Sequence, residues 1–446
     1  MGGLPADPPG SWKIMGMSSG VHPSGLAADL EFRGLIHQVT DPGLPGRLDA
    51  ERFTAYIGFD PTADSLHVGH LVQVLMLRRL RAAGHRVIAL AGGATGLIGD
   101  PGGKSAERQL LDPEVLRSNV EALRAQLGRF VDIDGTGAVL LDNSEWLSRI
   151  SLIEFLRDVG KYFTVNQMVS KESVRSRLDR PDQGISFTEF SYMLLQAYDF
   201  LHLFDSHGCR LQLGASDQWG NITMGIELIK KVRSAEAWGL TTPLLLKPDG
   251  TKFGKSEFGT VWLDPARTSP YQLYQFLVRS EDSAVGSYLR LLTFLDHDAI
   301  RALDAATEEH PERREAQRAL AREVCTLVHG AAEATKAEAA AAALYDVAIA
   351  NLDEATLLDV CAEAPAATLQ LTMLDGDGFP LADLAVASGL LASKSQARAA
   401  IAQGGMYVNN RRRGEAEALV TRDDLLWSRY VVLRHGRRNY HLVRFE

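Results

Sequence analysis

Apolar positions along the chain change period in an ordered way. From Phe53 to Phe59 the residues alternate toward β-formers, Pro61 and Asp64 mark a turn, and Leu71 to Arg81 repeats at helical spacing before Gly84. This predicts a strand, a turn and a helix whose N-terminus carries His67 and His70. Further strands are expected at Val87 to Ala91 and around Leu211 to Leu213, alternating with helical stretches, as in a parallel sheet covered by helices. From Ser269 to about Asn351 the pattern is helical and ends in an Ala-rich run, Ala337 to Leu344. Pro365 and Asp375-Gly376-Asp377-Gly378 make Ala364 to Gly378 read as a linker. Leu381 to Leu390, Ser393 to Arg398 and Gly404 to Asn409 then follow in the order helix, helix, hairpin. The absence of an 18-residue apolar run predicts no membrane-spanning helix.

Composition refines this picture little. A chain of 446 residues, 46% hydrophobic and 23% charged, is ordinary globular material with room for two or three domains. Met1 to about Gly25 is rich in Gly, Pro and Ser and lacks the apolar core of a signal peptide, so it reads as a disordered extension with Met15 or Met17 as alternative starts. Cys209, Cys325 and Cys361 form neither an even framework nor a C-x-x-C pair, which fits a reducing cytoplasm.

Charge is uneven. From Leu381 onward there are 11 Lys and Arg against six acids, so this tail is +5 while the rest of the −9 chain carries −14. A basic terminal module on an acidic body points to a polyanionic partner, against the plainer reading of a solvated charged face.

Two short motifs carry the chemistry: His67-Val68-Gly69-His70 and Lys252-Phe253-Gly254-Lys255-Ser256. At a helix start the unpaired N–H groups and positive dipole end favour phosphate, and Gly69 lets a ligand approach the backbone. Two lysines in a Gly-containing loop add mobile positive charge, so the pair of motifs suggests a triphosphate site. Each histidine alone is more often a capping or core residue. Zinc is a weaker rival, because no C-x-x-C or H-E-x-x-H pattern completes a site. Gly103-Lys104-Ser105 invites a P-loop reading, but the required Gly five residues earlier is Ile98. Displacement at a phosphorus of a bound triphosphate needs in-line positioning and relief of the charge on the departing phosphates; positive donors suffice without an enzyme nucleophile.

These motifs, with Tyr56 to Thr62, the Gly92 to Lys104 loop, Gly184 to Tyr192 and Gly214 to Asn221, resemble the class I aminoacyl-tRNA synthetases and, within them, the bacterial tyrosyl-tRNA synthetases. The resemblance runs from about Leu30 to Glu446. It implies an α/β fold: a Rossmann-like parallel-sheet catalytic domain, an α-helical domain and a C-terminal S4-like α+β RNA-binding domain. The expected boundaries are 1–28 for the extension, 29–262 catalytic, 263–360 helical, 361–380 linker and 381–446 S4-like.

The resemblance also implies roles. Thr62, His67, His70, Lys252 and Lys255 would handle the phosphates, with Lys104 and Arg108 reaching in from a mobile loop. Tyr56 and Asp199 would bind the phenolic hydroxyl of tyrosine. Asp100, Tyr192 and Gln196 would hold its ammonium group, and Asp217, Gln218 and Gly214 would surround the ribose and aminoacyl group. Gly58, Asp60, Gly69 and Ser256 complete the nucleotide site. In the tail, Lys394 and Arg398 share one helical face and, with Arg411, Arg412 and Arg413, would meet RNA. Implied partners are L-tyrosine, ATP with Mg2+, tRNA(Tyr) and a second copy of the chain, the Phe187 to Phe204 apolar stretch being its only sequence support. Two departures stand out: Ala215 where many relatives have a second Gly, and Ile57 where some have a Cys. The alternatives are the tryptophan-activating sister enzyme and a non-catalytic RNA-binding paralogue.

Overall fold

The computed structural model describes residues 25–102, 111–131, 133–178, 184–256, 259–343, 347–362, 364–415, 417–436 and 439–446. They fall into two compact units, one of residues up to 268 with 278–328, the other of 269–277 with 329–446.

The first unit is built on a six-stranded sheet: β1 (Gln38–Val39), β2 (Thr54–Phe59), β3 (Arg86–Ala91), β4 (Ala138–Asp142), β5 (Cys209–Ala215) and β6 (Trp238–Thr242). Their order is β1-β6-β5-β2-β3-β4, parallel throughout except at the β1 edge. The chain runs outward from β2 to β4 and then returns to lay β5 on the other side of β2. Ligands bind at such a reversal, beyond the carboxyl ends of the two strands. The expected β-formers do become β2 and β3, and both are almost wholly buried.

Helix Leu71–Ala82 follows the predicted periodicity and stops before Gly84, whose φ of 89° few other residues adopt. Helix Phe187–His207 begins where the Ser186 hydroxyl accepts the Glu189 N–H at 3.2 Å and ends at Gly208 in the left-handed region. It packs against helix Trp219–Arg233 over a core that includes Tyr56, Ile88, Leu90, Phe200 and Met224. Most of the Phe187 to Phe204 stretch is therefore core, though Phe187 itself is 77% exposed. The chain is ordered earlier than expected: helix Leu26–Phe32 starts within the anticipated extension, with Asp49 accepting the N–H of Leu26 at 2.7 Å.

The second unit contains a five-stranded sheet. A separate short pair, β7 (Lys255–Ser256) and β8 (Gly259–Thr260), belongs to the first unit. The strands of the second unit are β9 (Ala366–Leu369), β10 (Phe379–Pro380), β11 (Met406–Val408), β12 (Arg411–Arg413), β13 (Leu419–Val420), β14 (Tyr430–His435) and β15 (Asn439–Phe445). The main sheet has the order β12-β11-β14-β15-β9, and β10 pairs with β13. Asn409 and Asn410 both have positive φ and form the two-residue turn between β11 and β12. Helices Leu381–Ala387 and Lys394–Ala402 pack together over the same core, giving the expected helix, helix, hairpin order.

Two expected boundaries need correction. Residues 361–380 are not a free linker, since β9 lies within them and pairs in parallel with β15. Nor do 263–360 form one helical domain. Within the first unit, Arg33 donates to the carbonyls of Arg290, Thr293 and Leu295, and Asp29 meets His297 at 2.9 Å. Within the second, Tyr271, Ala340, Leu357, Val360 and Cys361 pack with Tyr430, Val432 and Leu442.

Candidate active site

The two sequence motifs meet backbone to backbone. Val68 N–H donates to Val261 O at 3.0 Å, Leu263 N–H donates to Leu66 O at 2.8 Å, and His67 bridges Trp262. Val261 N–H in turn donates to Gly254 O at 2.8 Å. Gly254 lies beside Gly69, a Cβ there standing 3.5 Å from Gly69 N, and its φ of 102° is what calls for glycine.

His67 caps the turn Val68–His70 that leads into helix Leu71–Ala82. Its Nδ1 accepts the Gly69 N–H at 3.1 Å, and Nδ1 of His70 accepts the His67 N–H at 3.1 Å. In the neutral rings both Nδ1 atoms are acceptors, which leaves the proton of each ring on Nε2. Burial, with His67 as neighbour, holds the His70 pKa well below its ordinary value, so His70 is a neutral donor at pH 7. The capping and phosphate-binding readings are thus compatible within one ring.

Lys252 is half exposed and lies 3.9 Å from Asp217. Burial raises the Asp217 pKa, and Lys252 opposes that rise. Asp217 sits just after β5, in the turn Ser216–Gln218. Gly58 is the one exposed position in β2, and a Cβ there would meet nothing within 4 Å, so the strand leaves open space at that point. Thr62 is exposed in the turn after β2. The backbone of Lys255 and Ser256 forms β7, but their side chains, together with Lys104 and Arg108, lie outside the described residues.

A second group lies deeper, beyond the ends of β2 and β5. Asp60 accepts from Tyr192 Oη at 2.8 Å and from Thr95 Oγ1 at 2.9 Å. Asp100 accepts from Gln218 Nε2 and from the Gly102 N–H. Asn221 Nδ2 donates to Gln196 at 3.0 Å and to Gln218 at 3.2 Å. Gly214, near the end of β5, faces Gln218, whose Cβ would lie 3.0 Å from a Cβ on the glycine. Hydrogen bonds thus join Asp100, Gln218, Asn221 and Gln196, and Tyr192 lies near enough to feel the charges of Asp60 and Asp100, a fitting environment for a cation.

At the floor lie Tyr56 and Asp199, 1% and 2% exposed. The Tyr56 hydroxyl has no hydrogen-bond partner among the described residues. Burial and the charge of Asp199 push its pKa well up, keeping the hydroxyl protonated. Asp199 accepts from Asn143 Nδ2 at 2.9 Å and Trp146 Nε1 at 2.8 Å. Burial raises its pKa to about 7, and these two hydrogen bonds resist the rise. Sequence reasoning missed Asn143 and Trp146. Their only signal was a pair of polar-tipped side chains directly after β4, on the same rim of the sheet as the other site residues.

The family model described as tRNA synthetases class I (W and Y) matches residues 48–346, and that of the tyrosine–tRNA ligase SYY-like C-terminal domain matches 362–443. The chain belongs to the class I tRNA synthetase family. It is 52% identical to a tyrosine–tRNA ligase of Roseiflexus castenholzii, over 93% of this chain and 98% of that relative. It is 49% identical to the tyrosine–tRNA ligase of Geobacillus stearothermophilus, over 94% and 99% of the two chains. Among solved structures, a C-terminally truncated mitochondrial tyrosyl-tRNA synthetase of Aspergillus nidulans matches with a TM-score of 0.62 and 35% identity, covering 70% of this chain and 92% of that one.

In the second unit, Arg398 and Arg411 are exposed. Lys394 is paired with Asp383 at 2.9 Å, Arg412 donates to the Gly404 carbonyl at 2.8 Å, and Arg413 pairs with Asp424 at 2.5 Å. Of the five basic residues singled out in the sequence, three thus have partners within the fold.

Proposed function

We propose that the chain activates L-tyrosine with ATP, giving tyrosyl-adenylate and pyrophosphate, and then passes the tyrosyl group to a ribose hydroxyl of the 3′-terminal adenosine of tRNA(Tyr), releasing AMP. Its family membership makes it an aminoacyl-tRNA ligase. The observation that carries the choice of amino acid is the buried Tyr56 hydroxyl without a partner, near a buried Asp199. An orphaned buried hydroxyl costs stability, and a substrate phenol that accepts from Tyr56 and donates to Asp199 removes that cost. A site built this way rejects the analogue lacking the hydroxyl; the reference case, about 10⁵-fold against phenylalanine, is itself a tyrosine-activating enzyme.

In this reading the array of Asp100, Tyr192 and Gln196 holds the ammonium group, and Asp60 orients Tyr192. A tyrosine carboxylate oxygen forms its bond to the α-phosphorus as the bond to pyrophosphate breaks. Neutral Nε2–H donors of His67 and His70, with Lys252, Lys255, Lys104 and Arg108, meet the growing phosphate charge. Mg2+ would enter on the ATP phosphates. Among the described residues no group of three or more potential metal ligands stands together.

A homodimer is part of the proposal. Phe187, Leu152, Ile153 and Leu156 are 77%, 70%, 70% and 48% exposed, large apolar side chains that a partner surface would cover. A monomer in sedimentation at micromolar concentration would remove this element. The three cysteines, all buried and joined by no disulfide, support a reducing compartment such as the cytoplasm.

The deciding experiment is amino-acid-dependent exchange of pyrophosphate into ATP without tRNA, comparing tyrosine, phenylalanine and tryptophan. Exchange with tyrosine alone is expected. Exchange with tryptophan instead would favour the sister activity, and none with any of the three would leave an RNA-binding paralogue.

A further inference from the structure

Trp146 donates its indole N–H to Asp199, and the face of that same indole is covered by His202, with ring centroids 4.3 Å apart and planes 15° from parallel. Asp199 and His202 lie three positions apart on helix Phe187–His207, so both project from one side of it. Trp146 comes from the short helix Ser144–Leu147 that follows β4. One helix therefore holds the indole at two points, by its edge and by its face.

We propose that His202 is a positioning residue for tyrosine recognition, acting through Trp146 on the carboxylate of Asp199. This inference rests on the tyrosine-activating reading of the site. A hydrogen bond alone fixes the direction of the N–H but leaves the indole free to swing about the N–H···O line. A flat ring stacked on its face removes that rotation, and offset or stacked aromatic pairs contribute about 0.5–1.5 kcal/mol beyond area burial. Together the two contacts aim one carboxylate oxygen at Trp146 and, with Asn143 on the other, set the plane that a phenol must meet. Without the stack, the N–H donor spends less time on Asp199, whose buried charge is then less well satisfied and a poorer acceptor for the substrate hydroxyl. His202 touches neither substrate nor reacting atoms in this account.

The test uses the full chain in tyrosine-dependent pyrophosphate exchange. His202→Ala is expected to raise KM for tyrosine 3- to 10-fold, with kcat and KM for ATP within twofold of the parent. His202→Phe, which restores a flat ring, should return KM for tyrosine to within twofold. His202→Leu keeps bulk without a stacking face and should resemble the alanine variant, which keeps the test open if the alanine variant does not fold. In a double-mutant cycle, adding His202→Ala to Trp146→Phe should change KM for tyrosine by less than twofold, because the indole N–H it positions is already gone.

An unchanged KM for tyrosine in both the alanine and leucine variants would overturn the inference while leaving the tyrosine-activating reading intact. So would equal losses in tyrosine KM, ATP KM and kcat that phenylalanine does not rescue, since those describe a structural role only. A parent protein that exchanges pyrophosphate with no tyrosine dependence would overturn both.

Discussion

The backbone N–H of His67 donates to Nδ1 of His70, and the two imidazoles stack with centroids 3.8 Å apart. The turn is thus tied by the same two rings proposed to meet the phosphates. His70→Ala is expected to slow pyrophosphate exchange by about 10–10², and to cost about 1 kcal/mol of stability through the lost cap. Because burial depresses the His70 pKa, the rate profile of the parent should show no inflexion from this ring at its ordinary 6.5, only at lower pH. Exchange kinetics against pH, with urea melts of both proteins, check these expectations.

Asp199 has a folded pKa of about 7 against an ordinary 3.8. Between those values the folded state binds more protons than the unfolded one, so this group takes stability away as pH rises from about 4 through 7. Asp199→Asn should remove that slope: relative to the variant, the parent loses stability between pH 5 and 8. Denaturant melts at four pH values give the answer. The same substitution should raise KM for tyrosine at least tenfold, since an amide offers the phenol no charged acceptor.

Asp29 shows the opposite sign. Burial pushes its pKa up, but Arg33, His297 and Arg79 more than offset this and leave it below 3.8. Its contribution to stability is present above that pH and lost as pH falls through the lowered value. Asp29→Ala leaves Arg33 and Arg79 buried without their carboxylate and should cost about 3–5 kcal/mol. Calorimetry at pH 7 tests the magnitude. Unchanged stability would mean the three basic groups find other partners.

Arg398 and Arg411 are exposed members of the basic set. Replacing both by Ala should weaken tRNA binding and lower the slope of log K against log salt by about 1–2, leaving tRNA-independent exchange unaltered. Arg413→Ala should instead lower the stability of the second unit, because its partner is Asp424. Filter binding across a salt series separates the two behaviours.

The sequence made some elements legible because their cause is local. Alternation in Phe53 to Phe59 and helical spacing in Leu71 to Arg81 depend on immediate neighbours, and both elements form there. The two motifs named in the sequence lie close in the fold, with Gly254 beside Gly69. Asn143 and Trp146 were hidden because their role arises only when the end of β4 comes against helix Phe187–His207. The misread linker has a similar origin. Pro365 and the Asp-Gly repeats are honest turn signals, but β9 is a four-residue strand whose partner, β15, lies some seventy residues later. Burial decided the rest: Arg33 and Arg79 look like surface charges in sequence, yet they are buried and donate to carbonyls around Thr293.

The reversal of strand order between β2 and β5 also bears on how the chain is made. On the ribosome β2, β3 and β4 can pair soon after they emerge, but β5 starts about 150 residues after β2 ends. Throughout that interval the strand destined for the centre of the sheet is an edge, with the backbone groups of Ala55 and Tyr56 unpaired on one side and apolar faces uncovered. Nascent chains in this state are open to pairing with one another. Arrival of β5 closes that edge and, by the same step, brings Gln218 to Asp100, so protection from aggregation and assembly of the candidate site are a single event in the birth of the molecule.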